Sequence, residues 1–328
     1  MHISYSQIYD LNNCEWRHWL KNYKKIKAID RPRPRELGSA VHVGLEALFK
    51  GRDPEKAILD WKDEESASLK KWSDIAPEIV EDGLDIMEDV VKVSTQIVPR
   101  FLEWWDGEGF TVDEDWVEKK VEIPLDDDVT FLAYIDSVVT DKNGLCFVAD
   151  WKTRKVFQSQ DSELTNLQKM LYQWALMESG LTTDGSLIVQ IYAGLPSEPE
   201  TLKAGTTSRR KIRTDWPTYE QKVLENGESP ISYLDMQEKI AGWGYKWFDV
   251  NYAYRSANEI QAVPDNFLKP ALSKIQRIMT GEEPMRTGFG SQSCGWCWAK
   301  PVCLESLKGT SVEDAASYGF DVPQGSDD

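Results

Sequence analysis

The chain lacks any run of eighteen or more apolar residues, so it offers no transmembrane helix. Its opening, MHISYSQIYD, lacks the basic-then-apolar layout of a signal peptide, and the expectation is a cytoplasmic protein with no membrane partner. Cysteine is scarce. Five residues in 328 cannot supply a disulfide framework, yet three of them crowd into SCGWCWAKPVC, which favours metal binding. Net positive charge is absent as well: the balance is −17, which argues against indiscriminate coating of nucleic acid and makes each local basic patch more informative. There is no internal repeat, and no Walker or helicase motif, which excludes a complete helicase-nuclease in this chain though not a partnership with one.

What is present is a 41% hydrophobic content, enough for a buried core, and fourteen tryptophans. Two basic patches stand out. Lys21 to Arg35 holds seven Lys/Arg against one Asp, including Lys24 and Lys25, and a second patch groups Arg209, Arg210, Lys211 and Arg213. Beyond Glu305 the chain turns acidic and is expected to be a loose tail.

The first hundred residues read mainly as helix, with GSAVHVGLEALFKG and the stretch PEIVEDGLDIMEDVVKVSTQIVPRFLEWW carrying helical apolar spacing. WVEKKVEIPL, TFLAYIDSVVT and LCFVADWKT then read as three strands joined by hairpins at DDD and DKNG. A helix should follow in SELTNLQKMLYQWALMESG, with a Thr165-x-x-Gln168 capping box and a stop at Gly180, and GSLIVQIYAG returns as a strand. From about Leu202 mostly helices are expected, one of them through FLKPALSKIQRIM.

Asp136 lies on the second strand, and Asp150 and Lys152 share a face of the third. Asp136 joins them only if the hairpin residues pair with an even sum, for instance Thr140 opposite Gly144, or if a bulge re-aims one strand. Two neighbouring carboxylates repel unless a cation lies between them, and oxygen ligands suit Mg2+ or Mn2+. The triplets Asp60-Trp61-Lys62, Glu118-Lys119-Lys120 and Glu220-Gln221-Lys222 show that acid-x-Lys alone carries little information.

The order helix, three strands, helix, strand, with Asp136 and then Asp150-x-Lys152, resembles the PD-(D/E)XK nuclease superfamily. Gly38-x3-His42, Gln168-x3-Tyr172 and the Cys14 region resemble its RecB-like branch, and specifically the iron-sulfur nucleases of the AddB and CRISPR-adaptation types. The residue before Asp136 is Ile135 where the superfamily's name has Pro, a departure common in that branch.

The resemblance implies an α/β fold, a restriction-endonuclease-like αβββαβ core embedded in N- and C-terminal helices joined by a metal cluster. Residues 1–105 would form an N-terminal helical region, 106–200 the nuclease core, 201–305 a C-terminal helical region and 306–328 the tail. His42, Asp136, Asp150 and the carbonyl of Trp151 would hold Mg2+ or Mn2+, Lys152 would assist the attacking water, and Gln168 and Tyr172 would position substrate. Cys14 would join Cys294, Cys297 and Cys303 around a [4Fe-4S] cluster, with Zn2+ as the alternative. DNA, single-stranded or at ends, is the expected partner, held in part by Lys24, Lys25, Arg209, Arg210 and Lys211, with a helicase or a recombination or integration protein as a further partner. The implied activity is a metal-dependent DNA exonuclease; the alternative is a DNA-end-binding or partner-binding module that keeps the fold without cutting.

Overall fold

The computed structural model describes residues 1–126 and 128–322. A short strand, β1 (His2–Ser4), leads into α1 (Tyr5–Asn13), whose N-terminus is closed by a reciprocal capping box between Ser4 and Gln7. Helix α2 (Glu15–Asn22) and strand β2 (Lys27–Ala28) follow, then α3 (Arg33–Phe49), α4 (Pro54–Lys70) and the 32-residue α5 (Pro77–Glu108). The chain enters each of these three helices through a proline in the first turn, where its missing N–H costs nothing. Gly109, at φ +75°, ends α5.

Strands β3 (Thr111–Val112), β4 (Lys119–Asp126), β5 (Val129–Ile135), β6 (Ser137–Thr140) and β7 (Cys146–Arg154) come next. The expected second strand is therefore two. Residues 129–135 pair with β4 and β1, residues 137–140 pair with β7 and β3, and Asp136 stands at the corner between the two sheets. The DDD turn before it includes residue 127, outside the described residues. Ser137 pairs with Ala149 and Thr140 with Cys146, so the residue sum is even as the site requires, two residues away from the Thr140 to Gly144 pairing. Asp141 explains the longer loop: its side chain accepts hydrogen bonds from the N–H groups of Asn143 and Leu145, building a five-residue connection.

After α6 (Asp161–Leu164) comes α7 (Leu167–Glu178), capped by the Asn166 side chain on Lys169 N–H and not by Thr165. Gly180, at φ +87°, follows its end as expected. Strand β8 (Gly185–Tyr192) runs parallel to β7, and β9 (Phe248–Tyr254) runs antiparallel to β8. The elements described beyond Leu202 are mostly helices, as expected, but β9 is a strand among them and takes the sheet's fifth strand from outside 106–200. A helix does cover Lys269–Met279.

The core has two main parts on opposite faces of this sheet. Val148 and the α7 residues Leu171, Trp174 and Ala175 pack with α1 and β5; Phe147, Ala149 and Trp151 pack against α3 and α5. Many tryptophans are spent here. Trp105 and Trp151 lie 5.4 Å apart, with Phe101, Phe49 and Phe110 stacked around them. Alternation along β7 thus sends Trp151 into the α3–α5 core and leaves Asp150 on the α7 side.

The stretch after Glu305, expected as a loose tail, carries the end of the helix Lys300–Leu307, a helix at Val312–Ala315 and β10 (Phe320–Asp321), which pairs with β2. Residues 323–328 of that tail lie outside the described residues. No helix among the described residues is long and apolar enough to cross a membrane.

Candidate metal centre

Helix α3 crosses the end of β7 closely enough that a Cβ on Gly38 would stand 3.3 Å from Thr153 Oγ1. One turn later, His42 reaches the strand. Its Nε2 is 2.6 Å from the Trp151 carbonyl oxygen, and its Nδ1 is 3.5 Å from Glu118 Oε1 and 3.7 Å from Asp136 Oδ2. The corner residue Asp136 is buried, and its Oδ2 accepts from the Trp151 N–H at 3.1 Å. Candidate ligand atoms of His42, Glu118 and Asp136 all lie within 4.8 Å of one another.

Glu118 was visible in the sequence only as one of the uninformative acid-x-Lys triplets. Its backbone has φ +49°, a conformation that disfavours residues with a Cβ, and its N–H bonds to the Asp136 carbonyl at 3.0 Å. The signal for it was tertiary. A strained residue tied to the corner carries its carboxylate to the face of His42.

Asp150, expected as a ligand, is fully buried and turns its two oxygens to lysines: Lys152 Nζ at 2.9 Å and Lys169 Nζ at 2.6 Å. Sequence reasoning missed Lys169, which sits on α7 between Gln168 and Tyr172, fully buried, 5.2 Å from the Tyr172 ring centre. Gln168 Nε2 donates to Tyr172 Oη at 3.0 Å, so the two residues contact each other. Tyr5, at the start of α1, also feels the charges of Lys152 and Asp150.

These contacts set the charges. Burial raises the Asp136 carboxyl to about 6, with the Asp150 charge adding to it and His42 opposing. Burial pushes Asp150 the same way, but Lys152 and Lys169 overcome it and hold that carboxyl well below the usual range. Burial alone would deprotonate His42; Asp136 and the hydrogen bond to Glu118 outweigh it and bring the imidazole up to about 9. Lys152 is likewise raised, because Asp150 and Asp136 outweigh its desolvation. A proton on His42 supplies positive charge beside the Asp136 and Glu118 carboxyls.

That geometry suits a hydrolytic phosphodiester site, and the sequence as a whole agrees. A sequence model of the PD-(D/E)XK nuclease superfamily matches residues 2–304. The chain belongs to the PD-(D/E)XK nuclease superfamily. Members of this superfamily are nucleases that work with divalent metal ions. A comparison with curated proteins found no match.

The remaining expected residues of this PD-(D/E)XK chain fall elsewhere. Cys14, Cys294, Cys297 and Cys303 all line one cavity together with Arg286 and Phe289. Glu15, beside Cys14 and buried, accepts from Arg277 at 2.9 Å and from the Met285 N–H at 3.2 Å, so α2 is joined to the segment leading to the C-terminal cysteines independently of the sulfurs. Cys146 instead lies at the start of β7 against the core.

Lys24 pairs with Glu313 at 2.8 Å; Lys25 is exposed at φ +57°. Arg209 is held by Asp235 at 2.6 Å and lies over Tyr233, while Lys211 faces Tyr245. Arg210 is exposed beside Glu200. None of these five lines the cleft at His42, whose wall includes Arg35, Glu118, Lys152 and Thr153.

Proposed function

We propose that the chain is a divalent-metal-dependent exonuclease acting on single-stranded or frayed DNA ends, in recombination, repair or related DNA processing, alone or beside a helicase or integration partner. The observation that carries this reading is the convergence of His42, Glu118 and Asp136 beside the Asp150–Lys152 pair in an open cleft. The donor set fits Mg2+ or Mn2+: two carboxylates and one imidazole, with a carboxyl and an imidazole both displaced toward holding protons until another cation is supplied. Trp151's carbonyl, 2.6 Å from His42 Nε2, is a further oxygen donor at the same place.

Lewis-acid polarisation of a phosphodiester is the chemistry a divalent cation supplies when bound there. Asp150 and Asp136 favour the protonated form of Lys152, which suits it to orient the attacking water, to donate to phosphate oxygens and to stabilise developing negative charge. Asp150, ionised and pinned, keeps that ammonium in place. Gln168, half-buried, and the buried Tyr172 that it bonds would position the strand from α7.

The cysteine cavity supports a structural [4Fe-4S] cluster held by Cys14, Cys294, Cys297 and Cys303. Four thiolates lining one cavity suit an iron-sulfur centre or Zn2+, and the resemblance in the order and spacing of these cysteines favours the cluster. Cluster binding would fasten α2 to the C-terminal helices, which Glu15 and Arg277 already join.

End-labelled single strands incubated with Mn2+ test the activity. Stepwise shortening that is lost in Lys152→Ala is expected; a protein carrying its metals that cuts no DNA with any divalent ion overturns the enzyme reading. A broad visible absorption bleached by dithionite in anaerobically purified protein tests the cluster, and a colourless zinc protein refutes it.

A further inference from the structure

A second groove meets the catalytic cleft at Arg35, the one residue that lines both. Its walls bring together Lys21, Lys27 and Arg31 from the segment before α3, Trp72 from the turn after α4, and Trp298 from between the cluster cysteines. The chain as a whole is strongly acidic, at −17, whereas this lining sets four cations against three carboxylates, Asp30, Glu65 and Asp321, a small local excess of positive charge.

The cations differ in how far they are committed. Lys21 is paired with Asp10 at 2.9 Å, and Arg31 with Glu65 at 2.9 Å while its Nε has no hydrogen-bond partner. Arg35 pairs with Glu36 and donates to the Asp30 carbonyl. Lys27 is exposed on β2, and its ladder partner Asp321 lines the groove with it, as does Asp30. Trp72 and Trp298 are half-buried against core clusters and both line the groove. Cations spaced along a groove with intervening aromatic faces match a single strand, whose phosphates and unstacked bases both need partners. A rigid duplex presents no free base face to such walls.

We infer that this groove is a track for single-stranded DNA, which the strand follows to or from the catalytic cleft past Arg35. The inference rests on the nuclease reading for the identity of the cleft and adds to it a binding surface distinct from Lys24, Lys25 and the Arg209 patch. It also gives the cysteine site a consequence, since the backbone between Cys297 and Cys303 carries Trp298 into the groove wall.

Binding and cutting are measured separately. Anisotropy of fluorescein-labelled oligothymidylates is followed on the Lys152→Ala background without Mn2+, across a salt series, with Lys27→Gln, with Lys27→Gln/Arg31→Gln, and with neither. A long strand should bind the double variant at least tenfold more weakly, with the salt slope reduced by about 1.4, and the single variant with a slope reduced by about 0.7, since each phosphate contact contributes about 0.7 on single strands. Oligomers too short to leave the cleft should bind all three alike.

Because Lys27 is exposed, the single variant keeps the test valid should Arg31→Gln disturb its pair with Glu65. Unchanged long-strand affinity and slope in both variants refute the track, even where the wild-type protein cuts DNA. Weakened long-strand binding in a protein that never cuts supports the track and removes the nuclease reading.

Discussion

Lys169 provides the sharpest test of the site's electrostatics. Its ammonium is fully buried 2.6 Å from Asp150 Oδ1, and Asp150 is fully buried as well. Lys169→Met keeps most of the volume but leaves Asp150 with Lys152 alone, whose side chain is about a third exposed. Removing one partner of a buried pair costs about 3–5 kcal/mol, because the remaining charge is left under-compensated in a low-dielectric interior. The remaining lysine moderates that, so a loss of about 3 kcal/mol is expected.

Urea denaturation of the metal-free protein reads this directly. With a slope of about 3 kcal/mol/M, the midpoint should fall by about 1 M in Lys169→Met. Asp150→Asn removes the charge that Lys169 neutralises, so the double variant Lys169→Met/Asp150→Asn should recover at least half of that loss. A midpoint shift below about 0.2 M, or a double variant no more stable than Lys169→Met, refutes the claim that Lys169 exists to hold Asp150 ionised.

The other predictions concern the ligand trio and the chain's closure. His42 must lose a proton to ligate, so Mn2+ affinity measured by calorimetry should rise from pH 7 and level off above about 9, with proton release in buffers of differing ionisation enthalpy; a pH-independent affinity refutes the raised imidazole. Since the folded pKa of His42 lies above its unfolded value, its contribution to metal-free stability is present below about pH 6.5 and is lost as pH rises through about 9, which thermal melts at several pH values check. Glu118→Gln should lower the His42 titration midpoint seen by NMR and weaken Mn2+ binding by about tenfold or more; an unmoved midpoint removes Glu118 from the site. Gly44→Ala should destabilise by about 1–3 kcal/mol in urea, because its Cβ would stand 2.8 Å from Val98 Cγ2 and 2.9 Å from Ile58 Cδ1. Glu15→Ala should speed proteolysis between Arg277 and Cys303, and equal cleavage rates would show that the ends are joined by other means.

Much of this protein was legible in its sequence because the relevant signals are local. Apolar period marked the long helices, β-branched and aromatic runs marked the strands around Asp136 and Asp150, and Gly180 marked a helix end. Strand β9 was legible in principle, since Phe248, Val250, Tyr252 and Tyr254 alternate with Asp249, Asn251 and Ala253, but the aromatic richness around it hid the period. The parity that brings Asp136 to Asp150 could be stated as a condition and no more, because a loop's length depends on hydrogen bonds such as those of Asp141.

Only the tertiary structure decided which charges meet. Glu118 and Lys169 have nothing in their neighbourhood that separates them from other acids and lysines; the corner at Asp136 and the packing of α7 on β7 bring them to the site. The same packing turns the two oxygens of Asp150 toward Lys152 and Lys169. Sequence alone determined the family, through a match over residues 2–304, and the strand segments around Asp136 and Asp150, through local pattern. Which groups stand beside each acid is a matter of distances across elements, and Coulomb interactions over a few ångströms are fixed only once the chain has folded.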